Sequence, residues 1–179
     1  MKKHGFLFLG LIWMILTPAF SQNNTEKVKW YTVEEAEKLA GKNPKKWLVD
    51  VYTDWCGWCK RMDMETFSHP VIAKYINENY YAVKLNAESR ESITFNGTTY
   101  KYMEQGGRGY QELAVSFLNG QMSFPSIAYL NDDLQLLGAV PGYKTPQTME
   151  PLLNYIVENK FTSQSLADYQ KTFQSKITE

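Results

Sequence analysis

Cysteine is nearly absent from this chain: its 179 residues include two, Cys56 and Cys59. A small exported domain held by disulfides needs several bridges, and a zinc ribbon needs four ligands, so both architectures are excluded. Histidine is equally scarce, at His4 and His69. Covalent haem attachment is excluded as well, because Lys60 and not histidine follows Cys59. There is no excess of charge of either sign, with 19 basic residues against 19 acidic ones. No nucleic-acid partner is expected from that balance. Internal repeats and linker-like stretches are also lacking.

What is present begins with an export signal. Lys2 and Lys3 precede an apolar run from Phe6 to Leu16, and Ala19 and Ser21 have the small-residue spacing of a cleavage site after Ser21. The run is too short to span a bilayer comfortably. The reading is therefore a signal peptide at 1–21 and one domain at 22–179, periplasmic or otherwise exported and expected to be a monomer.

Periodicity then orders the elements. Thr32 caps a helix from Val33 to about Gly41, with Glu34 and Glu35 in the first turn, where the helix dipole favours them. Trp47 to Thr53 is almost continuously apolar, as in a buried parallel strand. A helix is expected from Gly57 to about Phe67 and another from Pro70, with Tyr80 to Leu85 as the next strand. An insertion at about 88–109 breaks the pattern. Asn96-Gly97 between two short β-prone runs signals a hairpin there, and Gly106, Gly107 and Gly109 read as a flexible exit. A helix from Tyr110 to Leu118 follows, then strands at Ile127–Leu130 and Leu134–Val140 and a helix starting at Thr145 or Thr148. The last helix, at about 163–177, carries the stripe Leu166, Tyr169, Phe173 and Ile177. Together these predict an α/β fold with a mixed central sheet covered by helices on both faces.

The two cysteines lie in Trp55-Cys56-Gly57-Trp58-Cys59-Lys60, where strand gives way to helix. A C-x-x-C pair at a helix start puts its sulfurs within disulfide reach. Thiol exchange needs a thiolate, and a helix N-terminus lowers a cysteine pKa from about 8.5 by roughly one unit. Cys56 is accordingly the nucleophile, placed outermost, and Cys59 the deeper, resolving thiol. Resolution needs a base, and Asp50, set among apolar neighbours, is the candidate, with Lys84 in the adjacent strand as its charge partner. Trp55 and Trp58 read as packing residues, or Trp58 alternatively as part of an exposed apolar docking surface. With His69 the one histidine left after cleavage, no metal site is expected.

Val49-Asp50-Val51, the Trp55–Lys60 segment, Val83-Lys84-Leu85-Asn86 and Phe124-Pro125-Ser126 together resemble the diagnostic segments of the thioredoxin family, in order. The run Glu65-Thr66-Phe67 through Val71, Tyr75 and Asn79 is similar to the family's exported bacterial branch. The resemblance covers about 47–159. It implies a thioredoxin fold, a cis Pro125 facing the cysteines, and a substrate segment docked against Trp55, Gly57, Trp58, Phe124 and Pro125. No cofactor is implied. Trp58 departs from thioredoxin itself, which has proline there, and the dipeptide between the cysteines tunes the redox potential.

The expected function is reduction of disulfides in other exported proteins, with a membrane thiol donor restoring the dithiol. The alternatives are a disulfide oxidase or isomerase, and a non-catalytic binding module or chaperone that holds a partner with the insertion.

Overall fold

The computed structural model describes residues 26–105 and 107–177, so the signal peptide read at 1–21 lies outside the described residues. Its frame is a five-stranded sheet whose strands lie in the order Trp30–Tyr31, Tyr80–Asn86, Lys46–Tyr52, Ser126–Leu130, Leu136–Pro141. Strand β2 (Lys46–Tyr52) runs parallel to β3 (Tyr80–Asn86), and β3 runs parallel to the two-residue β1 (Trp30–Tyr31). On the other side β8 (Ser126–Leu130) pairs antiparallel with β2 and with β9 (Leu136–Pro141). The mixed sheet and flanking helices match the expected α/β class.

Both sheet faces are covered, which is why β2 and β3 read as near-continuous apolar runs. Leu48, Ala82, Ile127 and Tyr129 face one core with Met62, Ile72, Ile76, Met149 and Leu153. The opposite core joins Trp47, Val49, Val51, Val83 and Leu85 to Val33, Ala36, Leu113 and Phe117. Alternation along β2 therefore directs Asp50 to the same side as Leu48, onto an otherwise apolar face.

Helix α1 (Val33–Ala40) begins at a capping box, with Thr32 and Glu35 satisfying each other's backbone N–H groups. Helix α2 (Gly57–Met62) starts at the cysteine pair and passes into a π-helical turn, Asp63–Phe67, where one regular helix was expected. Helix α3 (Pro70–Asn79) opens on its proline and leads directly into β3. Helix α5 (Pro146–Val157) is capped by Thr145, not Thr148, and accommodates Pro151 internally.

The insertion consists of two hairpins. The first pairs β4 (Ile93–Phe95) with β5 (Thr98–Tyr100), turning at Asn96-Gly97, both at positive φ. The second pairs β6 (Tyr102–Gln105) with β7 (Arg108–Gln111), where the sequence suggested only a glycine-rich exit. Tyr110 consequently belongs to a strand, and α4 (Glu112–Phe117) starts two residues later than expected.

Two further boundaries differ. Strand β9 starts at Leu136 because Leu134 takes a left-handed turn conformation at φ 62°. Helix α6 (Leu166–Thr172) stops short of 177, with Phe173 extended at its C-cap. The chain end is held instead by the buried Glu150, whose carboxylate accepts from Ser175 Oγ at 2.5 Å and from the Lys176 N–H at 2.9 Å. Those bonds seat Ile177 in the core without a helix beneath it.

Candidate active site

The C-terminal end of β2 delivers the chain to the cysteine turn. Cys56 N–H donates to the Thr53 carbonyl at 3.1 Å, and the Cys56 sulfur caps α2 by accepting from Cys59 N–H at 3.1 Å. Cys56 and Cys59 form a disulfide with Cα atoms 5.3 Å apart. The expected polarity, Cys56 outside and Cys59 inside, is not visible in this oxidised state: both residues are buried, at 4% and 2% exposure. The bond itself holds the first sulfur in the turn, against the start of α2.

Around the buried pair stand exposed aromatics. Trp55 is 63% exposed and Trp58 is 55% exposed. Trp55 Nε1 donates to both carboxylate oxygens of Glu88 at 3.0 Å, and its ring meets Phe124 edge to face at 6.1 Å. Phe124 is half-buried, and the Phe124–Pro125 peptide is cis. Gly142 N–H donates to the Pro125 carbonyl at 2.8 Å, fixing that loop to the end of β9. Gly57 faces open space where a Cβ would stand, so a side chain there would meet an incoming molecule and not the fold.

Trp58 rests on a network that the sequence did not disclose. Its ring lies 5.4 Å from Tyr143, and the Arg61 guanidinium sits over both rings. Glu65 accepts from Tyr143 Oη at 2.5 Å and from Arg61 Nε at 2.9 Å, and these two bonds hold its carboxyl below the usual range. Thr66 Oγ1, buried beneath, donates to the Lys144 carbonyl at 2.6 Å. The π-helical turn thus fastens the loop after β9 beside the cysteines.

Strands β2 and β3 place Asp50 and Lys84 directly opposite each other. Asp50 is fully buried, and Lys84 Nζ donates to its Oδ2 at 2.5 Å. The other oxygen of Asp50, Oδ1, has no hydrogen-bond partner. Burial raises the Asp50 pKa to about 6, Lys84 pulls it back only in part, and the nearby Asp63 charge adds a small upward push. Lys84 also donates to Asp63 Oδ1 at 2.5 Å and packs against the rings of Trp30, Tyr52 and Phe67. Burial disfavours its ammonium, but the two carboxylates more than offset this and hold its pKa above the ordinary lysine value. A carboxyl with a pKa near 6 and one unpaired oxygen suits proton acceptance near neutral pH.

The sequence singled out Asp50, Lys84 and both cysteines, which the structure pairs as Asp50–Lys84 and Cys56–Cys59, but it did not single out their neighbours Asp63, Glu65, Glu88 and Tyr143. Asp63 carried a signal, since it lies four residues after Cys59 on the same helical face. Tyr143 carried none, being brought in from a distant loop. Among the described residues, no group of three or more His, Cys, Asp and Glu side chains could hold a metal ion, and no helix is long and apolar enough to cross a membrane.

Comparison with known proteins places these features in a family. A sequence model of the thioredoxin-like domain matches residues 33–157. A thioredoxin-fold protein from Helicobacter pylori superposes with a TM-score of 0.57 at 18% identity, covering 72% of this chain and 84% of that one. A thioredoxin from Thermus thermophilus superposes with a TM-score of 0.54 at 16% identity, covering 73% and 87%. An uncharacterised protein of Caenorhabditis elegans is 31% identical over 78 residues, which are 43% of this chain and 11% of that protein. The chain thus spans about a tenth of the length of the curated relatives it matches first. A thioredoxin-like domain with a disulfide-forming Cys56–Cys59 pair supports thiol–disulfide oxidoreductase activity.

Proposed function

The chain belongs to the thioredoxin-like domain family, and on that premise we propose that it is an exported thiol–disulfide oxidoreductase that reduces disulfides in other exported proteins. The observation that carries this reading is the Cys56–Cys59 disulfide, set between exposed Trp55 and Trp58 beside the cis Phe124–Pro125 loop. The site offers a reversible dithiol and an apolar surface on which a polypeptide can lie.

In the reduced protein, the Cys56 thiolate attacks one sulfur of a substrate disulfide. A mixed disulfide forms and the other substrate sulfur leaves as a thiolate, which takes a proton from solvent. Asp50 accepts the Cys59 proton, and the Cys59 thiolate attacks the Cys56 sulfur. The second substrate sulfur leaves as a thiolate and takes up a proton, Asp50 releases its proton to solvent, Cys56–Cys59 re-forms, and two electrons have passed to the substrate. Lys84 limits the cost of a buried Asp50 carboxylate before it takes up the proton. A membrane thiol donor then returns two electrons to the pair.

Three measurements test this reading. The reduced protein should turn over insulin disulfides well above background, and Cys59→Ser should accumulate a mixed disulfide through Cys56. Asp50→Ala should slow resolution far more than first attack. Absence of insulin turnover would remove the reductase reading, and equal slowing of both steps would remove Asp50 from the base role.

A further inference from the structure

The insertion reaches the site at both its ends, through Glu88 and through Tyr110 on β7. The Tyr110 ring stands 6.2 Å from that of Phe124, which stands 6.1 Å from Trp55. Three rings, from the insertion, the loop before β8 and the cysteine turn, thus form one row at separations typical of aromatic pairs.

Both ends of the row are anchored. Glu88 holds the Trp55 indole with both carboxylate oxygens. Beside Tyr110, Gln111 is fully buried and makes three bonds. Its N–H donates to the Ala87 carbonyl at 2.8 Å, its amide donates to the Tyr100 carbonyl at 3.1 Å, and its side-chain oxygen accepts from Leu113 N–H at 2.6 Å. These bonds tie β7 to the end of β3, to the first hairpin and to α4. On the other side of Tyr110, the Tyr102 ring closes over Gly109, and the Arg90 guanidinium covers Tyr102 at 4.5 Å. A long surface insertion is free to be mobile. This one is fastened at every residue flanking Tyr110.

We propose that the insertion is a specificity element in which Tyr110 positions Phe124, so that Tyr110, Phe124 and Trp55 form a rigid wall favouring polypeptide disulfides over small-molecule disulfides. The inference rests on the thiol–disulfide reading above. A small disulfide needs only the Cys56 sulfur, whereas a polypeptide must also lie against Phe124 and Trp55. A wall fixed before binding removes the ordering cost that such a contact would otherwise carry. Tyr110 is thus a positioning residue that acts through Phe124.

The test compares insulin with 5,5′-dithiobis(2-nitrobenzoic acid) as oxidants of the reduced full chain. Tyr110→Ala should raise the KM for insulin by about threefold to tenfold, the range of one aromatic pair. It should leave kcat and the small-disulfide rate within about twofold, and Tyr110→Phe should restore the insulin KM. With Phe124→Ala already in place, Tyr110→Ala should add almost nothing, because coupled residues do not act additively. An unchanged insulin KM, an equal loss on both oxidants, or additivity with Phe124→Ala would each overturn the proposal. Failure of the wild-type chain to react with either oxidant would instead sink the reductase reading, before any variant is compared.

Discussion

Lys84 and Asp50 face each other across the parallel β2–β3 pair, and the ammonium stands 2.5 Å from one carboxylate oxygen while a second carboxylate, Asp63, shares it. The buried acid therefore has only part of a counter-ion. Burial raises its pKa, Lys84 offsets that only in part, and the Asp63 charge adds a little to the rise, which leads to two predictions.

The first concerns stability. A carboxyl with a folded pKa of about 6 against an ordinary 3.8 favours the fold fully below about pH 4, and that contribution is lost as pH rises through about 6. Asn imitates the protonated acid, and Lys84 keeps Asp63 as a partner. Asp50→Asn should therefore stabilise the protein at pH 8 by about 1–3 kcal/mol, the order of a two-unit shift. The gain should vanish near pH 4, as read by urea unfolding at the two pH values.

Asp63 supplies the second. Its charge raises the Asp50 pKa and its carboxylate competes for Lys84, so both effects act in one direction. Asp63→Asn should lower the pH midpoint of the resolution step below about 6, and Asp63→Glu should keep it. Rapid-mixing measurement of mixed-disulfide decay between pH 4.5 and 8 reads the midpoint directly. An unmoved midpoint would show that Lys84 serves Asp50 independently of Asp63.

Glu150 gives a prediction remote from the cysteines. It is 2% exposed and is the acceptor for Ser175 and Lys176. Glu150→Ala leaves those donors without it and frees the chain end that seats Ile177. A loss of about 1–3 kcal/mol in unfolding free energy is expected, of the size seen when buried polar partners are removed. Thermal melts of the variant and of a chain ending at Thr172 should show similar losses.

At Gly109 a Cβ would come within 2.5 Å of the Tyr102 ring and of the Met103 carbonyl. The carbonyl belongs to backbone and cannot swing aside. Gly109→Ala should therefore loosen the second hairpin while the sheet persists. Faster amide exchange confined to the insertion would show it.

The sequence disclosed most of the fold where local chemistry and tertiary packing agree. Thr32 with Glu35, Pro70 and Asn96-Gly97 each name their structure through a cap, a helix start or a turn, and the structure has each in place. Asp50 and Lys84 were legible because charge in an apolar strand demands a partner. What escaped was set by contacts between distant segments. Trp30–Tyr31 is a strand only because Ala82 and Val83 lie beside it. The 102–111 hairpin has too few apolar residues to announce itself and is held by Gln111 and by packing on Gly109. The stripe through Phe173 and Ile177 keeps helical spacing, yet Glu150 draws that segment out of the helix.

The cysteines are separated by only three positions, so their bond closes a very small ring. Chain-entropy arguments give such a ring about 2 kcal/mol of restraint on the unfolded chain, well below what long loops yield. Thermodynamic reciprocity follows: whatever the bond lends to folding, folding lends to the bond. On the proposed redox role, each passage between dithiol and disulfide is therefore coupled to folding by about 2 kcal/mol, a small ring's share and not that of a long-loop staple.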